Sequence, residues 1–205
     1  MTENVVNLLV LGSTGSIGRQ ALEVVDQHPD KFKVVGLAAY DELDLLEDQV
    51  KKYQPRLVAL GNASLYKECR SRLGDCMEIL TGVEGLCELA ALEEADTVLV
   101  ALSGAVGIKP TLAAIRKSRR IALANKETLV AAGDIVMKAA REYSAEIIPV
   151  DSEHSAVFQC LQGESPYVDN IWLTASGGPF RDYSAAQLAE VTVDMALSHP
   201  NWNMG

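Results

Sequence analysis

The chain has 205 residues, room for one or two domains, and its 48% hydrophobic and 22% charged content is that of an ordinary globular protein able to bury a core without staples. A formal net charge of −10 disfavours nonspecific attachment to nucleic acid or to an anionic membrane, while leaving room for a small anion held by local donors. No apolar run is long enough to span a bilayer, MTENVVN lacks the features of a signal peptide, and cysteines at 69, 76, 87 and 160 without a C-x-x-C spacing read as reduced thiols, so a cytoplasmic protein is expected.

In chain order, the apolar run at 5–11 predicts a strand that feeds Gly12, Gly15 and Gly18, and residues 19–27 read as a helix. Strand, glycine turn and helix start together form a phosphate cradle, with unpaired N–H groups, about half a unit of positive charge and glycine backbone that a pyrophosphate can approach. The spacing is G-x-x-G-x-x-G rather than G-x-G-x-x-G, and no Lys-Ser/Thr pair makes it a P-loop. On spacing alone a dinucleotide site and a plain tight strand-to-helix turn both remain open.

Further strands are expected at 33–39, 56–60, 77–80, 97–102, 120–124 and 146–149, with helices at 43–53, 64–73, 82–89, 110–117 and 127–142 between them. This alternation implies an α/β fold, a doubly wound, mostly parallel, Rossmann-like sheet whose ligands gather at the carboxyl ends of the strands. Residues 1–150 are expected to form a dinucleotide-binding domain, and 151–205 to begin an α+β catalytic domain with a helix at 155–161, a strand at 167–174 and a glycine-rich turn at 176–180. About 55 residues are too few to close a core alone.

Several clusters carry chemistry. Asn125 and Glu127 suit a helix start as cap and first-turn acid, but Lys126 is electrostatically adverse there unless an anion faces it. Asp151 and Glu153, if extended, point the same way; their repulsion would be relieved by a hard dication such as Mg²⁺ or Mn²⁺. The alternative is a helix N-terminus with acids in its first turn. Ser176 is a phosphate donor or a loop serine, and the segment around His199 and Trp202 is a lid over a site or a packed tail. The basic run of Arg116, Lys117, Arg119 and Arg120 reads as a solvated helix end.

GSTGSIG at 12–18, ANKETLV at 124–130, VDSEHS at 150–155, TASGGPFR at 174–181 and HPNWNMG at 199–205 together resemble, over the whole chain, the 1-deoxy-D-xylulose 5-phosphate reductoisomerase family. The resemblance implies NADPH as cofactor with a divalent metal, a sugar phosphate substrate that is rearranged and reduced to methylerythritol phosphate in the non-mevalonate isoprenoid pathway, and a homodimeric intact protein. It implies that Thr14, Gly15, Ser16 and Ile17 form the pyrophosphate turn, and that Asn125 and Glu127 contact the cofactor. It further implies that Lys126 contacts substrate, Asp151 and Glu153 bind the metal, Ser152 meets a substrate hydroxyl and Ser176 the substrate phosphate. His199, Trp202 and Met204 match the flap that covers the substrate.

Two departures stand out. Where the family commonly carries Gly, then Ser or Lys, then Asn after the second strand, to help hold the NADPH 2′-phosphate, this chain has Tyr40-Asp41-Glu42, so either a weaker NADPH preference or a phosphate contact supplied elsewhere is expected. The family's remaining phosphate contacts and third metal carboxylate lie past the flap, so the 205 residues are expected to be an N-terminal portion that binds cofactor but turns over substrate poorly. The rival readings are another NAD(P)-dependent oxidoreductase, of the semialdehyde-dehydrogenase or dihydrodipicolinate-reductase type, and a non-catalytic nucleotide-binding module. The first gives no reason for the acidic pair and the second needs no cation.

Overall fold

The computed structural model describes residues 5–117, 120–163, 167–173 and 177–198. It divides into two compact units, Met1–Cys160 and Leu161–Gly205.

In the first unit seven strands alternate with helices. They are β1 (Val6–Leu11), β2 (Phe32–Ala39), β3 (Leu57–Leu60), β4 (Glu78–Thr81), β5 (Thr97–Val100), β6 (Arg120–Leu123) and β7 (Glu146–Pro149). The helices are α1 (Ser16–Gln27), α2 (Leu43–Tyr53), α3 (Tyr66–Leu73), α4 (Gly82–Ala90), α5 (Ile108–Ile115), α6 (Lys126–Glu142) and α7 (Ser152–Cys160). Every strand pair is parallel, in the order β4-β3-β2-β1-β5-β6-β7. The order reverses between β1 and β5, which makes the carboxyl ends of those two strands the switch point of a doubly wound sheet.

The strands are apolar on both faces because helices cover both. Leu9 and Leu11 of β1 pack with Val98, Val100, Ile121 and Leu123 on the side of α4, α5 and α6. Val10 packs with Leu37, Val58 and Leu60 beneath Leu22 of α1 and Leu46 of α2. The β1–β2 register slips between Leu8 and Leu9, where a Cβ on Gly36 would stand 2.8 Å from Leu89 Cδ1. Glycine here leaves that space to the Leu89 side chain of α4. No helix among the described residues is long and apolar enough to cross a membrane.

The second unit holds α8 (Ala185–Leu188), opened by a reciprocal Ser184–Gln187 capping box, and α9 (Val193–Leu197), whose first turn is capped by Thr192. None of its described residues is buried. The strand expected at 167–174 is not formed: residues 167–173 make no ladder, and residue 174 lies outside the described residues. A β-prone run such as Ile171-Trp172-Leu173 becomes a strand only when a partner supplies backbone hydrogen bonds.

Candidate functional site

Parallel strands bring the carboxyl ends of β1, β2, β5, β6 and β7 to one rim of the sheet, and the rim is laced by backbone hydrogen bonds. The Ala38 carbonyl of β2 accepts the N–H groups of Gly12 (2.9 Å) and Ser13 (2.8 Å). The Val100 carbonyl of β5 accepts those of Ala124 (2.9 Å) and Asn125 (3.2 Å), and Leu123 accepts that of Val150 (2.9 Å).

The glycine turn is built from close approaches. Gly12 has φ +89°, and a Cβ there would fall 2.5 Å from the Ala101 carbonyl oxygen. A Cβ on Gly18 would overlap the Gly12 carbonyl and stand 2.7 Å from Ser13 Cα, so glycine alone lets α1 start this close to β1. Helix α1 therefore begins at Ser16 rather than at 19, with Gly15 as its cap residue, no side-chain cap and no acid in its first turn. Gly15 and Ser16 are exposed, and Thr14 and Ile17 half-buried. Uncapped N–H groups at an accessible helix start fit an anionic pyrophosphate.

One buried polar side chain braces the turn. Gln49, on the inner face of α2, donates from Nε2 to the Ser13 carbonyl (2.9 Å), while its Oε1 and Ser13 Oγ are buried without a protein partner. Sequence reading passed over Gln49; its signal is a polar residue among Leu43, Leu46 and Val50 on one helical stripe.

At the end of β6, Asn125 caps α6 and is 1% exposed. Its Oδ1 accepts from the Thr128 N–H (3.0 Å) and hydroxyl. Its Nδ2 donates to the carbonyls of Leu102 (2.8 Å) and Gly104 (2.9 Å) and to Glu127 Oε2 (3.2 Å). The Asn125 amide is thus a clamp that joins the loop after β5 to the start of α6. Gly107 allows this, since a Cβ there would stand 2.8 Å from Asn125 Oδ1.

After β7, Asp151-Ser152-Glu153 is not extended: α7 begins at Ser152. The arrangement with the acids at a helix start prevails, because Asp151 accepts the His154 N–H at Oδ1 (3.1 Å) and holds His154 Nδ1 at 2.8 Å. Burial pushes the Asp151 carboxyl upward, but the His154 N–H and ring, with the charge of Lys126, outweigh it and hold the group below its ordinary value. Glu153 is also held low, by its own N–H, the Ser152 hydroxyl and Lys126, against the opposing charge of Asp151. Lys126 Nζ lies 3.6 Å from Glu153 Oε2, so residues from the ends of β6 and β7 form one charged group.

Among the described residues no three His, Cys, Asp or Glu side chains converge as a complete metal cage. Two ionised carboxylates are nonetheless the donors that Mg²⁺ or Mn²⁺ takes from a protein when water and substrate oxygens fill the remaining positions. Ser176, His199, Trp202 and Met204 lie outside the described residues.

Comparison with known proteins follows the same segments. A family model for 1-deoxy-D-xylulose 5-phosphate reductoisomerase matches residues 8–133, and a model for the C-terminal domain of that enzyme matches 147–205. The enzyme of that name from Thermodesulfovibrio yellowstonii is 50% identical over 199 residues, 97% of this chain and 52% of the relative. The structure of the Zymomonas mobilis enzyme in complex with NADPH superposes with a TM-score of 0.90 at 41% identity, over 96% of this chain and 52% of that one. A reductoisomerase complex with NADPH, fosmidomycin and magnesium gives 0.85 at 39% identity, over 98% and 52%. The chain spans about half the length of the curated relatives it matches.

Proposed function

This chain belongs to the 1-deoxy-D-xylulose 5-phosphate reductoisomerase family, and on that premise we propose that it supplies the dinucleotide- and dication-binding part of an enzyme that converts 1-deoxy-D-xylulose 5-phosphate to 2-C-methyl-D-erythritol 4-phosphate in isoprenoid biosynthesis. The observation that carries this reading is the gathering, at one sheet rim, of an uncapped glycine turn and the Lys126–Glu153–Asp151 charge group.

Thr14, Gly15, Ser16 and Ile17 face the pyrophosphate with backbone donors. Asn125 acts on the cofactor through the segment it anchors, and the exposed Glu127 through its carboxylate. Asp151 and Glu153 offer hard oxygen donors, ionised at neutral pH as carboxylates are, with proton affinities lowered further by their hydrogen bonds and by Lys126. Lys126 holds a positive charge toward the anionic substrate, and Ser152 offers a hydroxyl from the first turn of α7. When bound, the dication supplies Lewis acidity toward the substrate's carbonyl and hydroxyl oxygens, and the dinucleotide supplies the hydride that reduces the rearranged aldehyde. Phosphate binding by Ser176, flap roles for His199, Trp202 and Met204, and a homodimeric intact protein rest on the family resemblance.

Mn²⁺ binding to the 205-residue chain, followed by electron paramagnetic resonance, tests the assignment. Saturable binding that weakens about tenfold or more in Asp151→Asn and in Glu153→Gln is expected when one of two carboxylate donors is lost. Equal Mn²⁺ affinity in the wild type and both variants would refute the acid pair as the metal site.

A further inference from the structure

Between β2 and α2 the chain reads Tyr40-Asp41-Glu42. The carboxyl end of β2 is fixed against the glycine turn through the Ala38 carbonyl. The segment that follows is also fixed: Tyr40 and Asp41 carbonyls accept the N–H groups of Asn62 (3.0 Å) and Leu43 (3.0 Å), and the Tyr40 ring lies against Gly61. In a doubly wound sheet this is where the adenosine ribose of a dinucleotide is read. A carboxylate there accepts a hydrogen bond from the ribose 2′-hydroxyl, whereas a 2′-phosphate needs a cation.

Here the segment between β2 and α2 itself carries two acids and no base. Asp41 and Glu42 are exposed, and neither side chain has a hydrogen bond or ion pair within the described residues. Glu42 stands at the cap position of α2 without capping it, and Asp44 follows in the first turn. Three acids, Asp41, Glu42 and Asp44, thus stand at or beside the positive end of that helix. The guanidinium that reaches α2 from α3, that of Arg72, is held by Asp44, Glu47 and Glu68. It is therefore committed to protein carboxylates rather than to a phosphate.

We propose that the Asp41–Glu42 rim makes this chain bind NADH at least as tightly as NADPH, with Asp41 accepting from the ribose 2′-hydroxyl and both acids repelling a 2′-phosphate. This sets it apart from the relatives whose structures are described with NADPH. The inference rests on the reading that the glycine turn holds a dinucleotide, and the test separates the two.

The chain is titrated with NADH and NADPH by nicotinamide fluorescence, and with ADP and 2′,5′-ADP by calorimetry to isolate the ribose substituent. The wild type is expected to bind NADH no more weakly than NADPH. The double variant Asp41→Asn with Glu42→Gln is expected to improve NADPH binding by about tenfold relative to NADH, since it removes two charges facing a phosphate of about −1.5 to −2. Wild-type binding that is tighter for NADPH than for NADH would overturn the inference and leave the dinucleotide turn intact. A variant that shifts both nucleotides equally would remove the role of the two acids. Failure to bind any of the four ligands would overturn the inference together with the reading beneath it.

Discussion

Asn125 offers a test in which structure and helix propensity disagree. At a cap position Asp and Asn rank alike, so a propensity argument makes Asn125→Asp nearly neutral. The structure gives another order. Oδ1 accepts two hydrogen bonds from Thr128, but Nδ2 donates to the carbonyls of Leu102 and Gly104, and the residue is 1% exposed. Asn125→Ala removes a cap worth about 1 kcal/mol and strands the two carbonyls and the Thr128 hydroxyl at about 1 kcal/mol each, a total of about 3–4 kcal/mol. Asn125→Asp keeps the cap but turns a carboxylate oxygen toward two carbonyl oxygens, so it is expected to cost at least as much as alanine. Urea unfolding followed by circular dichroism should show a lower midpoint at constant slope, with a melting temperature lowered by about 10 °C in each variant. An Asp variant within about 0.5 kcal/mol of wild type would show that the Leu102 and Gly104 contacts contribute nothing and that Asn125 is an ordinary cap.

Two further outcomes are expected. Gly18→Ala forces a Cβ into the Gly12 carbonyl and to within 2.7 Å of Ser13 Cα, both backbone, so it should abolish NADH and NADPH binding by fluorescence titration; retained affinity would mean that α1 can move away without loss. Asp151 has a folded proton affinity below the ordinary 3.8, so its stabilisation is full above that value and is lost as pH falls through the folded one. Asp151→Asn should therefore be less stable than wild type at neutral pH, with the gap closing below about pH 4 in urea titrations. A gap that persists in acid would assign the stability difference to something other than the carboxylate's charge.

The seven strands of the sheet were legible to within a residue or two because runs such as Val58–Leu60 and Val98–Val100 are buried on both faces and need no tertiary information to be recognised as strands, whereas the exposed run at 167–173 has no such burial and forms none. Helix α1 was less so. The pattern places its start at residue 19, after the glycine turn, yet the helix starts at Ser16, because absence of a Cβ at Gly18 is what packing against Ser13 demands. The acid pair admitted an extended and a helical reading, and the hydrogen bonds that Asp151 accepts from the His154 and Ser155 N–H groups decide for the helix. Gln49 and the Asn125 clamp depend on carbonyls that are distant in sequence, those of Ser13, Leu102 and Gly104, and no local pattern announces such partners.

Lys126 was the residue that local rules explained least, and the structure narrows the reason. A cation in the first turn of α6 opposes that helix's dipole by about 0.3–1 kcal/mol. Its partner Glu153, in the first turn of α7, returns little, because both side chains are about half exposed and 3.6 Å apart, where solvent screens the pair. The two effects nearly cancel, so Lys126 adds nothing appreciable to stability where it stands. Its effect falls instead on Asp151 and Glu153, whose proton affinities it lowers together. Because β6 and β7 are adjacent parallel strands, α6 and α7 begin side by side, and a lysine at the start of one helix is the shortest route to a positive charge beside the acids at the start of the other. A residue that is neutral for the fold yet sets a positive charge beside two carboxylates at an open sheet rim is placed for a ligand's charges rather than for the helix that carries it.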